Sequence, residues 1–145
     1  MKILLTAFEP FGNLDSNSSW EVTSKIACHY FEEHTVCVEQ LPVSFNRVGD
    51  VLSKAIQTYR PDFVLMLGQS GGAEKIKLER VALNMMDANK TDNDCFMPSE
   101  LPIDKDGENA YFTNAPIKEM LEEIEKAEKD NSYITRKTYI LQDIF

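Results

Sequence analysis

"PDFVLMLGQSGG", residues 61–72, carries the strongest structural signal in the sequence. An unbroken apolar run at residues 63–67 follows Pro61 and ends at Gly68. Such a run is typical of a central strand in a parallel sheet, because a strand of that kind is buried on both faces. The stretch therefore predicts an α/β protein, in which helices pack against both faces of a mostly parallel sheet.

Strand and helix patterns alternate on the amino-terminal side of this run. Short apolar runs at residues 3–6 and 36–38 predict two further strands. Ser18 and Glu21 form a capping box for a helix between them. Ser44 is predicted to cap a second helix, which ends before the central run. This β-α-β-α-β order predicts one α/β domain with right-handed crossovers.

A third helix is predicted near the carboxyl end, where Asn114 and Pro116 are typical of a cap and a first turn. A mostly apolar segment at residues 78–87, "LERVALNMMD", is predicted to be buried. The inward faces of the three helices are expected to consist of the apolar residues at helical spacing. They are Val22, Ile26, Tyr30 and Phe31; Phe45, Val48, Val51, Leu52, Ile56 and Tyr59; and Ile117, Met120, Leu121 and Ile124.

The composition is that of a globular domain. The chain has 145 residues, of which 43% are hydrophobic, and its net charge is −9. The negative charge argues against binding to nucleic acid or to an anionic membrane surface. No window approaches the roughly 18 apolar residues of a membrane span. Cys28, Cys37 and Cys95 have neither disulfide-framework nor zinc-site spacing, so free thiols in the cytoplasm are expected.

Two loops follow predicted strands at the edge where parallel sheets bind ligands, residues 8–19 and 68–74. Phe8 and Phe11 could hold a flat, partly apolar ligand between their rings. Alternatively, they pack under the loop and cover the edge of the sheet. The Ser- and Asn-rich end of the first loop lacks the G-x-G-x-x-G pattern of a phosphate site, which favours a plain loop.

Residues 68–72 match the serine nucleophile motif G-x-S-x-G, but their surroundings do not. A nucleophile elbow requires a helix directly after Ser70, and a glycine-rich loop follows instead. In that hydrolase order a histidine also follows the serine, whereas His29 and His34 both precede it. We therefore expect that Ser70 is not a nucleophile, and that the two histidines face solvent rather than a metal ion.

Glu79 is the carboxylate that the sequence singles out. It lies inside the predicted buried segment, where a bare carboxylate would cost several kcal/mol. A functional role in a site is one interpretation. A salt bridge with Arg80, or a position on an exposed strand edge, is the other, and the residues alone do not decide between them.

Five blocks stand in order along the chain: "LLTAFEPFGNLDSNSS", "LPVSFNRVGDVL", "PDFVLMLGQSGG", "LERVALNMMDANKTDN" and "AYFTNAPIKEM". Together they resemble the successive blocks of the pyroglutamyl peptidase I family. The resemblance covers about residues 1–133 of a single domain spanning 1–145, and residues 134–145 form a divergent tail. It implies a three-layer α/β sandwich with a mostly parallel central sheet, incomplete at the carboxyl end relative to the family.

The resemblance also implies a function and a site. Members of the family are cysteine peptidases that remove amino-terminal pyroglutamate from peptides, with a Cys-His-Glu triad and without a metal or other cofactor. Phe8 and Phe11 match the aromatic residues that hold the pyrrolidone ring. Gln69 matches the glutamine lining the pocket, and Glu79 matches the triad carboxylate.

The sequence departs from the family where the nucleophile and its base are expected. No cysteine follows Cys95 and no histidine follows His34, and Asn89 replaces an expected arginine. Cys95 has no histidine near it in the sequence, so it is not expected to substitute as the nucleophile. We expect a truncated or divergent member with little or no activity. The alternative is a non-catalytic module that binds pyroglutamyl peptides or a full-length partner.

The shortened sheet also has a consequence for assembly. An uncovered sheet edge and face expose backbone hydrogen-bonding groups and apolar side chains to water. We therefore expect the chain to form a homo-oligomer or else to be marginally stable.

Overall fold

A computed structural model of the chain describes residues 1–27, 31, 33–71, 75–129 and 139–142. The three helices are α1 (Ser18–Ala27), α2 (Val48–Tyr59) and α3 (Ile117–Lys129). The strands are β1 (Lys2–Phe8), β2 (Thr35–Leu41), β3 (Phe63–Gln69), β4 (Lys77–Glu79), β5 (Val81–Leu83), β6 (Ala110–Phe112) and β7 (Tyr139–Gln142). No helix among the described residues is long and apolar enough to cross a membrane.

The main sheet has five strands in the order β2-β1-β3-β7-β4. Strand β1 is parallel to both of its neighbours, with Phe8 opposite Leu41 and Thr6 opposite Met66. The carboxyl ends of β1, β2 and β3 therefore lie at one edge. Strand β7 is antiparallel to β3 and parallel to β4, so β4 and β7 run antiparallel to β1, β2 and β3. The predicted α/β class is confirmed.

Helices α1 and α2 bury opposite faces of the sheet. Alternate strand residues point to opposite faces, so two separate cores form. One core contains Leu4, Val64 and Met66 from the strands, packed against Ala55, Leu52 and Ile56 of α2. The other contains Leu5, Ala7 and Leu67, packed against Trp20, Val22 and Ile26 of α1. This arrangement is the three-layer sandwich that the resemblance implies.

Asn17, not Ser18, caps α1, so the predicted capping box is wrong. The Asn17 carbonyl accepts the first helical hydrogen bond, from Glu21 N at 3.1 Å. Its side-chain Oδ1 accepts the N–H of Ser19 at 3.0 Å, the usual pattern of an N-cap. Ser18 becomes the first helical residue, and its polar groups are free to bond elsewhere in the fold.

Helix α2 begins at Val48, so the prediction that Ser44 is its cap is also wrong. The Ser44 hydroxyl donates to Asp94 Oδ2 at 2.6 Å, and a turn separates Ser44 from the helix. The predicted end before Pro61 is confirmed. Arg60 adopts left-handed backbone angles, with φ 47°, and donates its N–H to Ile56 O, so it closes the helix.

Several apolar residues predicted to face inward are exposed. Phe31, beyond the end of α1, is 39% exposed, and Leu121 of α3 is 45% exposed. Ile117, Met120 and Ile124 of α3 are half-buried, as expected for its inner face. Tyr30 lies outside the described residues.

Residues 78–87 do not form one buried segment. They divide between β4 in the main sheet and β5, which pairs with β6 in a separate two-stranded sheet. Leu83 is 63% exposed, and Met85 is 51% exposed. The apolar pattern failed here because one face of this small sheet, with Leu83 and Phe112, is exposed, whereas Ala82 on the opposite face is buried.

Candidate functional site

Two of the predicted binding residues end neighbouring parallel strands. Phe8 is the last residue of β1 and Gln69 is the last residue of β3. The loop that carries Phe11 continues directly from Phe8, and its Glu9 N–H donates to Leu41 O at the end of β2. The carboxyl edge of three adjacent strands therefore forms the floor of the candidate site.

The start of α1 joins the ends of β1 and β3. The backbone N–H and the hydroxyl of Ser18 both donate to Gln69 Oε1, at 2.8 and 3.0 Å. The Ser19 hydroxyl oxygen accepts the N–H of Phe8 at 3.3 Å and donates to Asn17 Oδ1 at 2.7 Å. Asn17, Ser18 and Ser19 are 0–2% exposed, so these bonds are shielded from water.

Hydrogen bonds on two sides fix the loop between Phe8 and Phe11. On one side, Asn17 Nδ2 donates to the Glu9 carbonyl at 3.0 Å. On the other, the Glu9 carboxylate accepts the N–H of Val43 at 3.0 Å. Asn93 Nδ2 bridges this carboxylate and the Pro10 carbonyl, at 3.0 and 2.9 Å. Phe11, which follows Pro10, is half-buried.

Asp92 holds the turn that carries Asn93. Its carboxylate accepts backbone N–H groups from Phe45, Asp94 and Phe96, each at 2.9 Å. Burial by itself would raise the pKa of Asp92, but the three N–H bonds stabilise the anion and hold its pKa below the ordinary value. Asp92 is therefore an ionised structural acceptor.

Asp94 ties the same turn to the residues before α2. Its two carboxylate oxygens accept a fork of bonds from Arg47, at 2.7 and 2.9 Å. Hydrogen bonds from Arg47 and from the Ser44 hydroxyl lower the pKa of Asp94. Phe45 and Phe96, whose backbone N–H groups bond Asp92, also pack edge to face, with their ring centroids 6.3 Å apart.

An open cavity of about 490 Å³ adjoins this loop system. Its lining residues are Val43, Phe45, Asp87, Ala88, Asn89, Lys90, Thr91 and Asp92. Val43, in this lining, donates its N–H to the Glu9 carboxylate, which connects the cavity to the loop between Phe8 and Phe11, although neither phenylalanine lines the cavity. Asn89, which replaces the arginine that the resemblance leads us to expect, lies in this lining.

Glu79 lies apart from the edge that carries Gln69. It is half-buried at the end of β4, opposite Gln142, which is in turn opposite Met66 of β3. Glu79 is therefore two strand spacings away from Met66, and Gln69 lies three residues further along β3. Together these displacements put the backbones of Glu79 and Gln69 about 14 Å apart. Among the described residues, neither the Glu79 nor the Arg80 side chain has a hydrogen-bond or ion-pair partner.

The other candidate nucleophiles and bases are dispersed. The first described element after Ser70 is strand β4, not the helix that an elbow requires. His34 is exposed, Cys37 is half-buried in β2, and Cys95 is exposed in the turn after Asp94. His29 and Cys28 lie outside the described residues. Over the described part of the chain, no group of three or more His, Cys, Asp or Glu residues is placed to hold a metal ion.

Sequence reasoning missed the residues that hold the edge together. The sequence patterns predict Ser18 only as a cap and Asn17 only as part of a loop, and they do not identify Glu9, Val43 or Asn93. One signal was present in the sequence, because "SNSS" places four polar residues directly before an apolar helix face. Their partners in β3 and at residues 92–94 are far away in the chain, so only the fold identifies them.

A family model described as pyroglutamyl peptidase matches residues 1–132. The chain belongs to the pyroglutamyl peptidase family. The predicted resemblance is thus confirmed. A pyrrolidone-carboxylate peptidase of Staphylococcus aureus is 43% identical over 124 residues, covering 86% of this chain and 58% of that protein. One from Thermococcus onnurineus is 38% identical, covering 88% and 63%.

Solved structures of the family agree with the fold. Pyroglutamyl peptidase I of Bacillus amyloliquefaciens superposes with a TM-score of 0.84 at 34% identity, covering 96% of this chain and 64% of that one. The pyrrolidone carboxyl peptidase of Fervidobacterium islandicum gives 0.84 at 27% identity, covering 97% and 79%. This family member therefore spans under two thirds of the Staphylococcus aureus, Thermococcus onnurineus and Bacillus amyloliquefaciens proteins.

The turn at residues 92–94 predicts loss of stability in acid. The folded-state pKa values of Asp92 and Asp94 lie below their ordinary value of 3.8. Both groups therefore contribute stability that is fully present well above 3.8. It is lost as the pH falls through that value towards the folded pKa values.

Urea unfolding between pH 2.5 and pH 7 measures this dependence. The Asp92→Asn variant should be less stable at neutral pH and show a flatter decline in acid than the wild type. Asp15→Asn, at an exposed loop position, is the matched control and should follow the wild-type curve. Parallel curves for wild type and Asp92→Asn would contradict the assignment.

Proposed function

We propose that this chain forms the pyroglutamyl-binding part of a cysteine-type pyroglutamyl peptidase, and that its 145 residues do not hydrolyse the substrate by themselves. The observation that carries the binding proposal is the junction at α1, which fixes Gln69 and the Phe8–Phe11 loop at the same edge of the sheet. Membership of the family supports the peptide substrate.

The chemistry of the ligand suits these residues. The pyrrolidone ring is flat, with apolar methylene groups and one lactam amide. Phe8 and Phe11 would supply aromatic contact for the ring, and Gln69 would supply a hydrogen-bonding partner for the amide. The adjoining cavity, which is lined by Val43 and Phe45 but by none of these three residues, would take the residue after the ring.

The proposed lack of hydrolysis rests on two of the three residues that a Cys-His-Glu site requires. In a Cys-His-Glu site the thiolate attacks the acyl carbon, and the imidazole activates the thiol and then protonates the leaving amine. Glu79 would orient that imidazole. No cysteine after Cys95 and no histidine after His34 is present to take these roles. Binding without turnover is the outcome that these residues favour.

Ligand binding tests the pocket directly. Pyroglutamyl-alanine amide should bind the wild-type chain, and Phe8→Ala or Phe11→Ala should weaken binding at least about tenfold, because each removes an aromatic contact worth about 1–2 kcal/mol. Isothermal titration calorimetry measures both affinities. Leu14→Ala is the matched control, because Leu14 is exposed in the same loop. Equal affinities for the wild type and both phenylalanine variants would rule out the proposed pocket.

A fluorogenic pyroglutamyl amide tests turnover by the pure chain under reducing conditions. We expect no hydrolysis above background, because losing one member of a catalytic unit costs several powers of ten and losing a second adds little. Turnover within about tenfold of a typical enzyme that Cys95→Ser abolishes would contradict this and make Cys95 the nucleophile. Turnover that disappears in Ser70→Ala would instead identify Ser70.

We also propose that the chain self-associates through an apolar arm. The arm consists of β5, β6 and residues 101–104. Asn84, directly after β5, makes two side-chain hydrogen bonds to the backbone of Asp104, at 2.7 and 2.8 Å, which hold residues 101–104 beside β5. Leu83, Ile103 and Phe112 are 63%, 63% and 73% exposed on it. An exposed apolar surface of this kind favours burial against a second copy.

Sedimentation velocity tests the arm. The wild-type chain should sediment above the monomer mass, and Phe112→Lys should shift it to monomer, because a charge is costly to bury in an apolar interface. Leu14→Lys, at an exposed apolar residue away from the arm, should leave the assembly unchanged. A monomeric wild type, or an unchanged Phe112→Lys assembly, would contradict the proposal.

A further inference from the structure

The bonds between Ser18 and Gln69 determine which end of the Gln69 amide is available to a ligand. Two donors, the backbone N–H and the hydroxyl of Ser18, converge on one side-chain atom at 2.8 and 3.0 Å. A backbone N–H has no accepting capacity, and an amide NH₂ group has none either. The atom that faces Ser18 must therefore be the oxygen, Oε1.

Within the described part of the chain, this arrangement leaves the nitrogen of Gln69 without an acceptor. Oε1 has two lone pairs, and the two Ser18 donors occupy both. No acceptor among the described residues bonds Nε2, and Gln69 is half-buried at the carboxyl end of β3. At this end of the sheet the side chain thus offers hydrogen-bond donors, and not an acceptor.

The two hydrogen bonds from Ser18 to Oε1 resist rotation of the Gln69 amide, because Ser18 itself is fixed. Ser18 is 1% exposed and is the first residue of α1, whose position Asn17 and Ser19 fix by their own buried bonds. Flipping the amide would place Nε2 against two donors and leave a buried N–H without a partner, which costs about 1–3 kcal/mol.

We infer that Ser18 is a positioning residue that makes Gln69 a hydrogen-bond donor to the lactam carbonyl of the ligand. This inference rests on the proposed pyroglutamyl pocket and specifies how the pocket would recognise the ring. The carbonyl distinguishes a pyroglutamyl ring from a prolyl ring, which has none. A site whose donor is left without an acceptor discriminates strongly against the ligand that lacks the group.

The Gln69→Glu variant replaces the NH₂ donor of the side chain with an oxygen acceptor and leaves its shape almost unchanged. One carboxylate oxygen would still accept from Ser18, and the other would face the lactam carbonyl as a second acceptor. We expect the affinity for pyroglutamyl-alanine amide to fall at least tenfold. If Gln69 instead accepted a bond from the ring N–H, Gln69→Glu would bind as tightly as the wild type or more tightly, which would overturn the inference.

An analogue that lacks the ring N–H makes the same distinction from the ligand side. In 3-oxocyclopentanecarbonyl-alanine amide a methylene replaces the ring N–H and the carbonyl is kept. Wild type should bind this ketone, and Gln69→Glu should lose affinity for the ketone and for the lactam by similar factors. A ketone whose affinity is unaffected by Gln69→Glu would overturn the donor assignment.

Ser18→Pro tests the positioning role. Proline is favoured at the first helical position, so the helix should still form, while the N–H and the hydroxyl are both removed. We expect at least a tenfold loss of lactam affinity, while the far-UV circular dichroism shows that the helices are retained. Ser18→Ala keeps the N–H and should lose less, and Ser16→Ala, in the exposed loop, should lose nothing. Wild-type affinity in Ser18→Pro would overturn the role.

A measurement without ligand keeps this inference separate from the proposed function. A scalar coupling across the hydrogen bond, between the Ser18 amide nitrogen and Gln69 Cδ, should be detectable by NMR in the free chain. It should vanish in Ser18→Pro, and its absence in the wild type would overturn the Ser18 role. If the coupling is present but the wild type binds neither ligand, the pyroglutamyl pocket fails. If both ligands bind and Gln69→Glu keeps their affinity, only the donor assignment fails.

Discussion

The arrangement of the candidate site depends on the buried hydrogen bonds at the start of α1. A helix begins with backbone N–H groups that have no partner within the helix. Here Asn17 satisfies one of them, and Gln69 of the neighbouring strand satisfies another. Because these groups are out of contact with water, leaving either without a partner would cost about 1–3 kcal/mol. These bonds therefore fix the position of α1 relative to β1 and β3.

A second group of hydrogen bonds, made by three carboxylates, fixes the loops beside the carboxyl ends of the same strands. Glu9, Asp92 and Asp94 accept hydrogen bonds from backbone N–H groups, Asn93, Ser44 and Arg47. Backbone N–H donors stabilise a carboxylate without a cation. These three carboxylates thus connect loops of the fold. The Phe8–Phe11 loop lies between the two groups of hydrogen bonds.

The alternation of apolar runs and helical patterns was sufficient to predict the fold class. Residues 63–67 became β3, residues 3–6 and 36–38 became parts of β1 and β2, and Pro61 followed the end of α2. Helix starts were predicted less well, because Asn17 and Ser18, or Ser44 and Arg47, are all plausible caps locally. Long-range partners decided between them: Gln69 bonded Ser18, and Asp94 bonded Ser44. The exposure of Leu83 and Leu121 also depended on which elements cover them.

The sequence by itself determined that Phe8, Phe11 and Gln69 lie at or just beyond the carboxyl ends of strands in a parallel sheet, because local apolar periodicity reports strands and their approximate ends. It also determined the family, and it shows that no cysteine or histidine is present after Cys95. Only the tertiary structure decided that Ser18 occupies the oxygen of Gln69, that Asn93 ties Glu9 to Pro10, and that Glu79 lies away from that edge. These relations join residues that are 51 to 84 positions apart, or they depend on strand direction. No local pattern encodes such pairings, because they arise only when the sheet has assembled.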